Sequence, residues 1–349
     1  MLPHRLKISL VASFILLAFT VKAQNFDGPV PYMAAITSAQ EDMNKKYMAY
    51  LSASAHGKRL KKVEKLRQQA LESINQSESK VLELPAFNGD QSLKQSAIKH
   101  IKFCYKIFND DYANIVNMEE IAEQSFDEMQ AYLLLKEKTK EKLKEANNAY
   151  EAAYNAFAKK NNVQIIESKS ELSEKMEKVG ALNQYHDKIY LLFFKCNWQD
   201  AKLVEAISNK KVTEIEQRRN ALAQYANEGI AALAAIKPFD GDASLIGACK
   251  QALLFYKKTA ENDVLKLTDF YLKEENFEKM KKAFEAKSES DRTNQDIDAF
   301  NKGVKEINAA VNAFNQTTGV LNSARAGVVD AWNATEKSFI DTHMPYFKK

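Results

Sequence analysis

Glycine and proline are scarce in this 349-residue chain, which has 10 Gly and 6 Pro. Average usage would supply more than twice as much of each. Ala, Lys, Glu, Asn and Leu are abundant instead. Few breakers and many helix formers argue against sheet and predict long helices. So little glycine also leaves few places for backbone to approach a nucleotide phosphate. Neither a Gly-x-Gly-x-x-Gly loop, a phosphate loop nor a Gly-x-Ser-x-Gly elbow occurs.

Cysteine is limited to Cys104, Cys196 and Cys249. An odd count forbids complete internal pairing, and the long spacings match no zinc pattern. Each lies on an apolar helical stripe, which predicts buried free thiols. A Cys104–Cys249 bridge is the other arrangement the count allows. A strong charge of one sign is also missing, with Lys and Arg totalling 50 and Asp and Glu 46. Loss of Arg5, Lys7 and Lys22 with a targeting segment would make the two nearly equal. That balance argues against a nucleic-acid partner, and the interspersed signs read as a solvated helical surface.

Long apolar runs are missing after residue 23. The most apolar patch, Ile189-Tyr190-Leu191-Leu192-Phe193-Phe194, is closed off by Lys188 and Lys195. The one targeting signal lies at the start. Arg5 and Lys7 precede an apolar run from Ile8 to Phe19, and Val21-Lys22-Ala23 follows. About a dozen apolar residues are too few to span a bilayer, which takes ~20. A signal peptide over 1–23 is expected, cleaved near Ala23, with an unstructured lead over 24–29. The mature chain is then exported: periplasmic, outer-surface or secreted.

What the chain does contain is a short turn that occurs twice. Pro85-Ala86-Phe87-Asn88-Gly89-Asp90 leads into Gln91-Ser92-Leu93, and Pro238-Phe239-Asp240-Gly241-Asp242 leads into Ala243-Ser244-Leu245. Phe, Gly, Asp, Ser and Leu recur at one offset, 152 positions (239 − 87). Gly89 and Gly241 permit positive φ, and Asp90 and Asp242 are placed to accept from the amides of the next helix start. Phe87 is expected to plug the end of a bundle. The stripe Leu93, Ala97, Ile101, Cys104, Tyr105 and Phe108 is matched by Leu245, Cys249, Leu253 and Tyr256. Asn109-Asp110-Asp111 and Glu261-Asn262-Asp263 mark a kink or short loop at the far end of each.

These features predict an all-α protein of two tandem bundles related by internal duplication, with about four or five helices each, over 30–180 and 181–349. The first unit starts with helices over about 31–54 and 58–82. A long helix over about 115–160 carries the coiled-coil-like seam Leu143, Tyr150 and Phe157. Its later counterpart is read as Phe300, Ile307 and Phe314, with breaks expected after both, at Lys160-Asn161-Asn162 and at Thr317-Thr318-Gly319. In the second unit, helices are expected over about 182–208, 212–236, 244–275, 277–316 and 321–342, with Ser288–Arg292 as an interruption.

Chemistry has few candidates. His56, His100, His186 and His343 survive processing, with no His-x-x-x-His and no Glu-x-x-His for a di-iron site. His100 lies near an apolar stripe, but its counterpart is Ala252, so a packed histidine explains it better than a haem or metal ligand. His343 beside Met344 reads as part of a frayed tail. Glu119-Glu120, Glu123, Asp127-Glu128 and Glu274-Glu275 lie beside lysines and read as solvated surface. Lys58-Arg59-Leu60-Lys61-Lys62 and Lys279-Met280-Lys281-Lys282 read as helix-surface ion pairs with Glu64 and Glu278. No catalytic, cofactor-binding or metal residue is nominated. The signal ending Val21-Lys22-Ala23-Gln24 and the duplicated Phe-x-Gly-Asp helix starts resemble exported, all-helical bacterial surface proteins of uncharacterised function. The function expected is non-enzymatic binding of a surface partner through helical faces. The alternative is a carrier of an apolar ligand or haem, motivated by His100, Met33, Met43 and Met48. A third is membrane activity through Ile189–Phe194.

Overall fold

A computed structural model of the chain describes residues 26–57, 59–111, 122, 124–166 and 170–347. The expected signal peptide, Glu119-Glu120, Glu123 and Lys348-Lys349 lie outside them. The described residues form an all-α fold. The helices are α1 (Pro29–Ala55), α2 (Leu60–Glu83), α3 (Ser92–Lys106), α4 (Phe126–Lys160), α5 (Glu171–Ser208), α6 (Val212–Ala234), α7 (Ser244–Lys258), α8 (Val264–Glu285) and α9 (Asn294–His343).

Their ends follow local chemistry. Pro29 opens α1, where a missing N–H costs nothing. Ser125 and Ser170 each accept an N–H three residues on, at 3.1 Å, and so cap α4 and α5. Thr293 and Asp296 form a reciprocal capping box at α9. Gly57, with φ 59, takes the left-handed conformation that stops α1.

Apolar stripes then pack into two main cores. Tyr32, Ile36, Met43, Ala70, Ile74, Leu93, Ala97 and Ile101 build the first, closed by Phe157 at the end of α4. Leu182, Ile189, Leu203, Ile215, Leu222, Leu245, Leu253, Trp332 and Phe339 build much of the second. Helix α1 serves both, because Met48 is buried in the second core while Leu51 packs against each.

The two turns match closely. Asn88 and Gly89 have φ of 49 and 84, and Asp240 and Gly241 have 50 and 84. Asp90 Oδ1 accepts from Ser92 N at 2.8 Å, and Asp242 Oδ1 accepts from Ser244 N at 2.7 Å. Each aspartate stands one residue ahead of the formal cap, which is Gln91 or Ala243. Both following helices run into a five-residue π-helical turn, Ile107–Asp111 and Thr259–Asp263. The expected kinks are therefore wide helical turns. Beneath the first turn, Phe87 meets Tyr32 and Phe157 at 5.4 and 5.6 Å. Beneath the second, Phe239 meets Tyr185 and Phe339 at 5.3 and 6.0 Å.

Several expectations are corrected. Helix α9 runs unbroken through Thr317-Thr318-Gly319 to His343. A glycine costs only about 1 kcal/mol in a helix interior, and Phe314, Leu321 and Trp332 pack on both sides of it. The partner of Phe157 under the second turn is Phe339, not Phe314, which packs 4.5 Å from Phe270. The two aromatics beneath the turns, Phe157 and Phe339, lie 182 positions apart (339 − 157), against 152 for the turns themselves. Helix α8 and the first half of α9 form a hairpin joined by the short turn Glu289–Asp291, where Phe284 stacks on Phe300 at 4.4 Å. Helix α8 is continuous across 276, and α5 is continuous through Gly180, so the boundary expected at 180/181 falls inside α5.

Candidate functional site

The residues weighed for chemistry are mostly accounted for by packing. His100 Nε2 lies 2.6 Å from Asn147 Oδ1 and 3.6 Å from Cys104 Sγ, and its ring stacks on Tyr150. Burial lowers its pKa, only partly opposed by the Asn147 bond, so the neutral ring is favoured. Met33, Met43 and Met48 are core residues. Cys104, Cys196 and Cys249 are all free, which excludes the Cys104–Cys249 bridge here. Burial pushes each thiol up to about 12, so none supplies a ready thiolate.

Ile189, Phe193 and Phe194 of the apolar patch are buried. The patch is core and not a free membrane-facing surface. Among the described residues, no helix is long and apolar enough to cross a membrane. Lys279 pairs with Glu275 and Lys210 with Glu274, whereas Glu64 turns to Arg67 and Gln68 on its own helix.

His343 is not part of a frayed tail. It is 8% exposed, its Nε2 lies 2.9 Å from Asp242 Oδ2, and Met344 beside it is buried. Lys160 Nζ donates to Asp90 Oδ2 at 2.7 Å at the first turn. Each turn aspartate is thus bound twice, by the helix it starts and by the end of the helix whose aromatic packs beneath the turn. Among the described residues, no cluster of three His, Cys, Asp or Glu side chains is poised for a metal.

One feature absent from the sequence reading is a groove of about 520 Å³ where α1, α4, α5 and α9 meet. Leu51, Ala55, Leu133, Ile340 and Met344 give it an apolar side. An ionic cluster gives it a polar one. Lys136 Nζ donates to Asp187 at 2.8 and 2.9 Å. His186 Nε2 donates to Glu336 Oε1 at 2.6 Å, and its Nδ1 lies 3.5 Å from Asp187.

Burial is the largest influence on His186 and works against its charge, but Asp187 and Glu336 together outweigh it and raise its pKa. Burial likewise opposes the charge on Asp187, and His186 and Lys136 overcome it, leaving its pKa lowered. Two cations and two anions thus compensate one another. Both ring nitrogens of His186 face carboxylates, which favours the doubly protonated ring. No family model, curated protein or solved structure matches the chain.

Proposed function

We propose that this is an exported, non-enzymatic binding protein that engages a partner through its helical faces, using the groove between its bundles as the contact. The observation that carries the reading is the groove itself, apolar along one side and ionic but internally compensated along the other. A partner helix presenting an apolar edge and polar flank matches that pattern. Export rests on Arg5, Lys7, the Ile8–Phe19 run and Val21-Lys22-Ala23. N-terminal sequencing of the secreted form should begin at Gln24.

The direct test immobilises the full chain and a Leu133→Glu variant and passes envelope extract over both. A protein retained by the first, lost by the second, and unaccompanied by a change in melting supports the reading. Equal retention removes the groove from it. A carrier of an apolar ligand is the second reading, favoured by a volume within the ~300–1,000 Å³ of small-molecule sites. A native mass above that of the polypeptide, with no protein retained, would favour the carrier.

The two bundles are further proposed to be copies of one ancestral unit. The matched turns, 15-residue helices and π-helical turns at a single offset support this. The α8–α9 hairpin is then an insertion in the second copy.

A further inference from the structure

Three of the four histidines among the described residues pair with carboxylates, and all three pairs fall on the end of α9. Glu336 accepts from His186 of α5 at 2.6 Å. Asp341 faces His56, at the end of α1, at 3.3 Å. His343 faces Asp242 of the second turn at 2.9 Å. The residues that follow continue the attachment. Tyr346 stacks on the His56 ring at 3.7 Å and 5°, and Phe347 N donates to Ser52 Oγ at 3.1 Å. One short segment therefore ties the first bundle's α1 to α5 and to the second turn.

The first bundle does the equivalent job with Lys160 on Asp90, and a lysine keeps its charge across the physiological range. Histidine does not, and a His–carboxylate pair loses its ionic part when the ring is neutral. We propose that the end of α9 with its tail is a pH-responsive clasp between the bundles, tightest in mildly acidic solution and loosened in alkaline solution. Loosening it uncovers Leu51 and Ala55 of α1, which line the groove beside Ile340 and Met344.

Each ring has a carboxylate beside it, and the buried His56 has no hydrogen-bond partner at Nε2. His186 is flanked by Asp187 and Glu336, with Lys136 bound to Asp187. His56 faces Asp341, to which Lys337 is also bound, and lies under Tyr346. His343 faces Asp242, with Asp240 nearby and held by Lys178, and packs against Phe239 and Phe339. A carboxylate is thus each ring's ionic partner, and those lysines lie behind acids.

His186 is held above the ordinary histidine range, so its contribution is complete below about pH 6.5 and lost as pH rises through its folded value. Asp242 and Asp341 are held below the carboxylate range, chiefly by His343 and Lys337 respectively. Their contributions are present above about pH 4 and lost only in stronger acid. The clasp is then tightest between about pH 4.5 and 6.5.

Amide hydrogen exchange of the full chain at pH 5.5 and 8.5, corrected for intrinsic rates, tests this. Protection over 48–57 and 330–347 should fall about tenfold or more at the higher pH, while 266–284 in α8, which holds no histidine, should change little. A His56→Gln, His186→Gln, His343→Gln triple variant should lose the difference. Equal protection at both pH values in the unaltered chain, or an undiminished difference in the triple variant, overturns the proposal. His343→Lys tests it without removing a partner. It installs the fixed cation that Lys160 supplies to the first turn, and should hold 330–347 protected at pH 8.5. An unchanged pH difference in that variant removes the second turn from the clasp.

Discussion

Asp90 and Asp242 do one task with different partners. Each accepts an amide at the start of the following helix and meets a side chain at the end of another, Lys160 or His343. Asp90→Ala and Asp242→Ala should each lower stability by about 0.5–2 kcal/mol in urea melts at pH 7. Unchanged melting in both would show that the turns hold without them. Lys160 first, and then the Ser92 amide, lower the Asp90 carboxyl to about 2. Its contribution is therefore complete above about pH 4 and disappears as pH falls towards 2, where Asp90→Ala should melt like the unaltered chain. A costlier residue is Asp200, 1% exposed and held by Arg325, whose Nη2 donates at 3.1 Å. Arg325→Leu strands that carboxylate and should cost about 3–5 kcal/mol. Asp200→Leu combined with Arg325→Leu should recover much of the loss, and equal costs for the single and double variants would show the charge is not what matters.

Glycines separate the helices that touch from those that do not. A Cβ on Gly229 of α6 would lie 2.8 Å from Cδ1 of the buried Leu253 of α7. Gly229→Ala should therefore destabilise by about 1–3 kcal/mol despite its better helix propensity. At Gly319 of α9 a Cβ would meet open space, so Gly319→Ala should stabilise by up to about 1 kcal/mol. Thermal melts that moved both variants in one direction would contradict this pair. Gly319 also shows why helix ends were harder to read than helix faces. The stripes of α3 and α7 were legible because burial follows a 3.6-residue period. Thr317-Thr318-Gly319 carries a weak local preference for a break, and packing on both flanks overrides it. The same period misassigned the counterpart of Phe157. Phe314 and Phe339 lie 25 positions apart (339 − 314), about seven helical turns, and so share a face. Periodicity chooses a face, and only the turn packed beneath it chooses the register.

At the scale of the molecule, the all-α class was legible from composition and the groove was not. His186 and Glu336 are 150 positions apart, and no local pattern links them. His343 was misread for the same reason, since its partner lies 101 positions away. Helix α1 packs into both cores, and α4 is tied to α5 through Lys136–Asp187 and Lys140–Gly180. That arrangement has a kinetic consequence. The α1–α2 and α6–α7 pairs join neighbours in the chain, whereas His56–Asp341 and Ser52–Phe347 close loops of 285 and 295 positions. Loop-closure entropy puts such contacts late, after the locally connected helices have formed. His56→Gln should then leave the folding arm of a chevron plot in place and raise the unfolding rate. A slowed folding arm would mean that the distant segments meet before the bundles form. With late closure, the rate at which the segment after α9 lets go of α1 governs how long the assembled protein lasts.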